Sequence, residues 1–221
     1  MGYEHSYLKW KTVLTKRLET TASGTENVTD GVGEKDLYYT KAHGDMLLVR
    51  YKALRRLELF LEAGLVYESL SEISDMESAL GGGFQYSVKE VEFPNDAGLY
   101  LDFTARYMAG KVAGTYADIN GNKFKRSSDF NEIEAGLEAG FRLFQLTLYG
   151  SVAYGQFSEE TKREQVLSDP MVRILNDELE EQENFGTMLG LNCRINDHWT
   201  VDGQWHSGFK EGALVNVQYR F

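Results

Sequence analysis

The residues of this sequence that could do chemistry are charged side chains placed at every second position of apolar segments. In the clearest segment, Glu132, Glu134, Glu138 and Arg142 alternate with apolar or small residues. A β-strand turns successive side chains to opposite faces, so such a segment has one charged face and one apolar face. Charges on facing strands form ion pairs or line a hydrated passage. The charged faces comprise Lys9, Lys11, Arg50, Lys52, Glu58, Glu62, Asp102, Arg106, Glu132, Glu134, Glu138, Arg142, Asp202 and Arg220.

A second candidate chemistry is nucleophilic catalysis by His206 and Ser207. Adjacent residues on a strand point to opposite faces, so these two side chains cannot easily share a proton. His43 and Asp45 could imitate a surface protease site, but no spacing in the sequence supports one. We therefore expect no catalytic residues, no metal site and no cofactor.

The charged positions lie on ten predicted strands. These segments keep a hydrophobic period of two, which an amphipathic helix does not maintain over ten residues. The strands are expected at residues 6–18, 37–53, 57–67, 81–91, 99–108, 132–143, 146–155, 185–195, 199–209 and 213–221. No Pro-, Gly- or Ser-rich linker divides them, so they predict a single all-β domain covering residues 1–221.

The connections between the predicted strands alternate in length. Long, polar loops are expected at 19–36, 68–80, 111–128 and 156–183, the last of them strongly acidic. The third loop centres on Asn120-Gly121, a hairpin signal that explains its Asp and Asn residues better than a calcium loop does. Short turns are expected at Arg55-Arg56, Pro94-Asn95-Asp96, Phe144-Gln145, Asn196-Asp197-His198 and Lys210-Glu211-Gly212.

Two of the long loops carry weak helical signals. Within 68–80 the apolar residues are spaced as on one face of a helical turn. In 156–183, Asp169 and Pro170 match the start of a helix, and Ile174, Leu175 and Leu179 follow with helical spacing. A short helix is therefore expected in the second of these loops.

The composition excludes several functional classes. A net charge of -11 argues against nucleic-acid binding, which requires clustered basic residues. The mean hydropathy of -0.41 and the lack of an 18-residue apolar run exclude a transmembrane helix. The single cysteine, Cys193, cannot form an internal disulfide. The N-terminus lacks the features of a secretory signal, so an exported protein would be represented here in its mature form.

The last strand carries the most specific signal in the chain. Val215, Val217, Tyr219 and Phe221 form an apolar face opposite a largely polar one, and Phe221 is the final residue. This strand resembles the assembly signal of bacterial outer-membrane β-barrels, and the whole pattern is similar to the small OmpA-like and opacity-type barrels. The resemblance implies a closed antiparallel transmembrane barrel with short periplasmic turns and long extracellular loops. It also implies contact with outer-membrane lipid and, through the last strand, with the barrel-assembly machinery.

In such a barrel the charged faces point into the lumen. Lys9, Lys11, Arg50, Lys52 and Arg220 then form a basic wall opposite an acidic one, and the charges either plug the lumen or line a narrow channel. Our first functional hypothesis is a small passive channel with a charged lumen, located in the bacterial outer membrane. The second is a closed barrel that displays the acidic loop 156–183 for binding or adhesion. The sequence identifies neither a solute nor an extracellular ligand.

Overall fold

The computed structural model describes residues 2–21, 24–27, 37–68, 73–75, 77–117, 123–166, 174–181, 184–208 and 210–220. Among these residues no helix is long and apolar enough to cross a membrane. The strands are β1 (Gly2–Thr21), β2 (Gly24–Asn27), β3 (Leu37–Leu54), β4 (Leu57–Glu68), β5 (Ile73–Asp75), β6 (Glu77–Phe93), β7 (Ala97–Ala117), β8 (Lys123–Leu143), β9 (Leu146–Val166), β10 (Ile174–Glu181), β11 (Phe185–Arg194), β12 (Trp199–Gly208) and β13 (Lys210–Tyr219).

Ten of these strands form one closed antiparallel ring. Their order around the ring is β1, β3, β4, β6, β7, β8, β9, β11, β12 and β13. The ring closes because β1 pairs with β3 on one edge and with β13 on the other. The β1–β13 register runs from Gly2 opposite Gln218 to Trp10 opposite Lys210. The predicted all-β fold of ten antiparallel strands is confirmed.

The distribution of side chains is the reverse of that in a soluble β-sheet protein, because apolar side chains lie on the outer face and polar ones on the inner face. On the outer face of the ring, Phe185 and Leu189 are each 68% exposed and Leu61 is 67% exposed. On the inner face, Glu132 is 1% exposed and Lys210 is 2% exposed. Exposed apolar side chains alternate with buried polar ones along the strands, so the outer surface requires a hydrophobic surrounding.

Most short turns lie where the sequence predicts them. Arg55-Arg56 joins β3 to β4, and Phe144-Gln145 joins β8 to β9. In the turn between β6 and β7, Asn95 and Asp96 have φ of 65° and 53°, a left-handed conformation that Asn and Asp tolerate well. Residues 195–198 connect β11 to β12. All four turns therefore lie at the same end of the ring.

The segments expected as long loops are largely strand. β7 and β8 stay paired from Lys111–Asp129 to Ala117–Lys123, and β9 continues to Val166. β1 runs on to Thr21 and pairs there with β2. In the extensions of β7, β8 and β9 the outward residues are mostly polar. The contrast between an apolar and a polar face is therefore weaker there than in the parts of these strands nearer the short turns. The tip at Asn120-Gly121 lies outside the described residues.

The helical segments expected in the loops are also wrong. Within 68–80, β5 pairs with β7 and β6 starts at Glu77. β10 covers Ile174, Leu175 and Leu179, and it pairs with β9 on one edge and with β1 on the other. Neighbouring strands supply backbone partners on both edges, which overrides the helical spacing of the apolar residues. Asp169 and Pro170 lie outside the described residues.

The position of β10 changes the outline of the ring. β11, β12 and β13 have 10 residues each, whereas β1 has 20 and β9 has 21. Beyond the three short strands, β10 bridges Ser158–Glu164 of β9 and Thr12–Thr20 of β1. At the end of the ring opposite the short turns, which we call the long-hairpin end, the wall therefore continues with β10 in place of β11, β12 and β13.

Candidate functional site

The interior of the ring contains a cavity of about 930 Å³. It begins at the short-turn end, where Lys52, His198 and Arg220 are exposed, and it extends inward to Glu62 and Lys210. The cavity wall includes most of the charged residues that the sequence analysis selected. These are Arg50, Lys52, Glu58, Glu62, Arg106, Glu134, Glu138, Arg142, Asp202 and Arg220.

Two further residues of that set, Asp102 and Glu132, are buried on the inner face without lining the cavity. Asp102 Oδ2 accepts a hydrogen bond of 2.6 Å from Gln85 Nε2. Glu132 Oε1 accepts one of 2.8 Å from Lys210 Nζ. One oxygen of each carboxylate is thus bound by a neighbouring side chain of the wall.

The remaining two, Lys9 and Lys11, lie on β1, and their side chains are outside the described part of the structure. The register between β1 and β3 runs unbroken from Gly2 to Val13, and within it Tyr3 is exposed whereas Glu4 is buried. The assignment of Lys9 and Lys11 to the lumen therefore stays a prediction. Glu4 lines the cavity, so an acidic residue interrupts the expected basic wall.

Lys210 forms the first of two groups of buried ion pairs at the inner end of the cavity. Its Nζ lies 2.8 Å from Glu132 Oε1 and 2.5 Å from Glu134 Oε2. The sequence analysis assigned Lys210 to a turn, which is wrong, because Lys210 is the first residue of β13 and pairs there with β1. Its side chain connects β13 with β8, on another side of the ring.

Arg106 forms the second group. Its Nη2 lies 2.5 Å from Glu62 Oε2 and 3.8 Å from Glu4 Oε1. Arg106 is directly opposite Glu134 in the β7–β8 register, so the two groups adjoin. We refer to the six residues Glu4, Glu62, Arg106, Glu132, Glu134 and Lys210 as the ionic layer.

The ionic layer contains four carboxylates and two cations. Buried charges lose their hydration, so they persist only when partners of opposite charge and hydrogen bonds compensate them. Glu132 Oε2 is buried without a hydrogen-bond partner, which leaves the carboxylate dependent on Lys210. The layer links β1, β4, β7, β8 and β13 across the interior.

An apolar cluster fills the interior on the long-hairpin side of the ionic layer. The rings of Phe130 and Phe157 stack with their centroids 6.1 Å apart. Each member of the cluster is buried, and none lines the cavity. The apolar cluster consists of Met46, Val66, Ala79, Met108, Val112, Phe130 and Phe157.

Polar contacts continue beyond the apolar cluster. Arg126 Nη2 lies 2.6 Å from Glu159 Oε1, and the hydroxyls of Ser128 and Thr161 are 2.9 Å apart. Thr161 also donates to Glu159. The ionic layer, the apolar cluster and these contacts therefore fill the described part of the interior in succession, so the cavity is blind at its inner end.

Two tyrosines lie flat against the cavity wall. The Tyr100 ring packs on Gly140 and donates a hydrogen bond of 2.9 Å to Glu138 Oε1, while the Tyr149 ring packs on Gly190 and donates to Asp202. A Cβ at either glycine would overlap the facing ring. The missing side chains let the rings lie along the wall, which keeps the middle of the cavity open.

Cations near the short-turn end have partners of their own. Arg50 Nη1 lies 2.8 Å from Glu58 Oε1 and donates to Gln85 Oε1 at 3.3 Å. Arg142 Nη2 lies 3.6 Å from Glu90 Oε1 and 3.9 Å from Glu92 Oε1. The mouth of the cavity thus carries mixed charge.

In a closed antiparallel ring, the backbone groups of every strand find their hydrogen-bond partners within the wall. The apolar outer face also shields the ion-paired interior from an apolar surrounding. The chain has the fold of a small outer-membrane β-barrel. Its inner face is the lumen, and the cavity described above is the lumen cavity.

Comparison with known proteins finds distant structural likenesses and no family. No family model and no curated protein matches the chain. Among solved structures, the outer membrane protease OmpT from Escherichia coli matches with 8% identity and a TM-score of 0.42, over 100% of this chain and 97% of that one. The translocator domain of the autotransporter NalP from Neisseria meningitidis matches with 11% identity and a TM-score of 0.39, over 99% and 88%. The Pseudomonas putida toluene transporter TodX matches with 9% identity and a TM-score of 0.33, over 100% and 68%.

His206 and Ser207, which were weighed for catalysis, lie on opposite faces of the barrel wall. His206 is buried in the lumen, where its Nε2 lies 3.2 Å from Gln204 Oε1, and Ser207 is exposed on the opposite face. Asp45 accepts a hydrogen bond from Tyr3, and the side chain of His43 is outside the described residues. The geometry separates the first pair as the strand periodicity predicts.

The C-terminal residues form the last strand of the barrel. Val215 is exposed on the outer face, and Val217 is half-buried. Tyr219 stacks on His198 at 5.6 Å and packs edge-on against Trp199 at 5.0 Å, next to the turn between β11 and β12. Phe221 lies outside the described residues. An assembly signal in this strand stays a prediction.

Sequence reasoning missed four residues that shape the lumen, namely Glu4, Tyr100, Tyr149 and Lys210. Tyr100 and Tyr149 were correctly placed on inward faces, but their contacts with Gly140 and Gly190 on the adjacent strands of the ring depend on strand register. Lys210 was hidden because Gly208 and Gly212 flank it and suggest a turn. Only the pairing of β13 with β1 shows that Lys210 belongs to the wall.

Proposed function

We propose that the protein is an integral β-barrel of the bacterial outer membrane that serves as a closed scaffold rather than as an open pore. The observation that carries this proposal is the filled lumen. The ionic layer and the apolar cluster occupy successive levels of the interior, and both consist of buried side chains that the wall holds in place. A barrel of this size is readily filled by its own side chains.

The orientation follows from the two ends of the barrel. Bacterial barrels have short periplasmic turns and longer connections outside, which places the mouth of the lumen cavity in the periplasm. Exposed aromatic residues mark the two borders of the lipid belt. At the periplasmic border these are Tyr51, Phe93 and Trp199, and at the outer border Tyr107, Tyr154, Phe185 and Trp205.

The part that the scaffold displays is a wall of strands. From Tyr154 to the end of β9 at Val166, about 3.3 Å per residue and a tilt near 40° raise the wall roughly 30 Å above the outer border. The acidic residues of β10 are built into this wall, because β10 pairs on both edges. The surface offered for binding or adhesion is therefore a sheet face, in place of the free acidic loop expected from the sequence.

Two partners belong to the proposal. Outer-membrane lipid would contact the apolar outer face, where Leu61, Leu80 and Leu189 are each at least 65% exposed. The barrel-assembly machinery would recognise β13, whose outward residues include Val215 and Val217. Neither interaction requires a cofactor or a catalytic group.

A passive channel is the second candidate function. The observation that favours it is the lumen cavity, which extends from the periplasmic mouth as far as the ionic layer. It would form the first part of a hydrated passage. In a channel the carboxylates Glu132, Glu134 and Glu138 would face permeating ions.

Planar-bilayer recording of the refolded protein distinguishes the two functions. The scaffold proposal predicts no discrete conductance steps from protein whose folding is verified by the shift in gel mobility between boiled and unboiled samples. Discrete steps from the wild type, with ion selectivity that changes when Glu132, Glu134 and Glu138 become Gln, would establish the channel and overturn the closed scaffold.

A further inference from the structure

Three carboxylates beside the lumen cavity differ from those of the ionic layer. Asp102, Glu138 and Asp202 receive hydrogen bonds only from neutral donors, and no cation of the described residues lies within ion-pair distance of them. In the ionic layer, by contrast, each carboxylate has Lys210 or Arg106 as a partner. The middle of the barrel therefore holds carboxyl groups that no described cation neutralises by direct contact.

These carboxylates are neighbours. Asp102 is directly opposite Glu138 in the β7–β8 register, an arrangement of like charges that destabilises a sheet. The charges of Asp102 and Asp202 both act on Glu138. Arg50 also acts on Glu138 and Asp202, but its closest partners are Glu58 and Gln85. One arginine already shared with Glu58 does not balance three carboxylates.

Two buried acceptor atoms in the same region have no donor. Asp102 is 6% exposed and Asn216 is 3% exposed, and the Oδ1 atom of each has no hydrogen-bond partner. Both side chains enter the lumen between cavity-lining residues of their strands. Tyr100 and Thr104 flank Asp102, and Leu214 and Gln218 flank Asn216. Asn216 also pairs in register with Asp202. Buried acceptors of this kind are costly unless a donor reaches them.

The shape of the cavity indicates the size of the missing donor. About 930 Å³ is within the range of small-molecule sites, and the mouth is exposed at the periplasmic end. Tyr100 and Tyr149 present aromatic surface next to Glu138 and Asp202. Aromatic faces beside carboxylates are a favourable surrounding for an ammonium group.

We propose that the middle of the lumen cavity is a binding site for a small linear organic cation with two or more ammonium groups, which enters from the periplasmic side. Ammonium groups supply the positive charge that Asp102, Glu138 and Asp202 lack as ion-pair partner, and the N–H donors that the Oδ1 atoms of Asp102 and Asn216 lack. The described residues contain no group of three or more His, Cys, Asp or Glu side chains placed to hold a metal ion, so the charge must be distributed along a longer ligand. This site does not depend on whether the barrel conducts.

Isothermal titration of the full-length refolded barrel in detergent with spermidine tests the proposal. We expect saturable binding at low salt that weakens at least about tenfold in Glu138→Gln and in Asp202→Asn, because each change removes a charged acceptor. Glu160→Gln is the matched control. Glu160 is exposed on the outer face of β9, so its replacement leaves the affinity unchanged.

Three outcomes would overturn the site. These are the absence of saturable heat when spermidine is added to the wild type, binding to Glu138→Gln and Asp202→Asn as tight as to the wild type, and equally tight binding of the neutral analogue 1,4-butanediol. Competition by Mg²⁺ at equal concentration would also overturn the proposal, because it would show that the site binds a metal ion in place of an organic cation. Bilayer recordings do not enter this test, so it fails or succeeds separately from the scaffold proposal.

Discussion

Lys210 on β13 and Glu132 on β8 form an ion pair of 2.8 Å although 78 residues separate them in the sequence. The two strands are not neighbours in the ring, so the pair connects two sides of the wall through the lumen. Both side chains are almost completely buried. The pair therefore contributes both to closing the lumen and to holding the barrel in one shape.

Replacing Lys210 tests that contribution. Lys210→Met leaves Glu132 and Glu134 buried without their cation, and we expect the free energy of unfolding to fall by about 3–5 kcal/mol. Urea titration in detergent, followed by the gel-mobility shift of the folded barrel, measures the loss. Lys111→Met is the control, because the exposed Lys111–Asp129 pair contributes at most about 1 kcal/mol. Equal unfolding midpoints for the two variants would contradict the buried network.

Gly140 provides a test of the tyrosine packing. In Gly140→Ala the new methyl group overlaps the Tyr100 ring and displaces it from Glu138, and we expect a loss of about 1–3 kcal/mol. At Gly203, on β12, a Cβ meets no atom within 4 Å. Gly203→Ala should therefore be neutral or stabilising by up to about 1 kcal/mol. Urea unfolding of both variants checks the difference, and a neutral Gly140→Ala would show that the ring does not rest on the glycine.

The paired edges of β10 predict slow amide exchange in the acidic segment. Backbone amides of residues 174–181 that bond to β9 and β1 should exchange with deuterium far more slowly than in an unstructured peptide. Hydrogen–deuterium exchange with peptide-level mass spectrometry measures this. Leu179→Pro removes one backbone donor and should speed exchange across the segment. If these amides of the wild type exchange as fast as those of an unstructured peptide, the segment is a free acidic loop and not a paired strand.

Cysteine labelling tests the height of the lipid belt. In a Cys193→Ser background, Val152→Cys places a thiol on the outer face within the belt, and Lys125→Cys places one on the extension above it. In liposomes we expect a charged maleimide to modify Val152→Cys at least about tenfold more slowly, because lipid excludes the reagent. In urea-unfolded protein the two thiols should react at the same rate. Equal labelling rates in the folded barrel would contradict this height. Either the β8 extension that carries Lys125 would lie inside the membrane, or the outer face that carries Val152 would lie outside it.

Much of the fold was predictable because it depends on local periodicity. The alternation in segments such as 132–143 and 146–155 shows which residues share a face, and the resemblance to outer-membrane barrels predicted that the apolar face is the outer one. The turns at Arg55-Arg56 and Phe144-Gln145 were predictable for the same reason, since a break in the alternation marks them. Where both faces are polar, as in β9 beyond Ser158, the alternation disappears and strand was mistaken for loop.

The lumen was predictable as a list of residues but not as an arrangement. Alternation placed Glu62, Arg106 and Glu134 on inward faces, yet it contains no information on which strand faces which. That Arg106 pairs with Glu62, and that no cation of the described residues forms an ion pair with Glu138, depends on ring order and register.

The sequence by itself determined the class of protein, because a period of two and an apolar outer face are properties of each strand alone. The tertiary structure decided which buried side chains fill the described part of the interior, that Lys210 belongs to the wall and that residues 174–181 of the acidic segment are the strand β10. Each of these depends on contacts between residues far apart in the chain. Such contacts exist only once the ring has closed and its strand register is set.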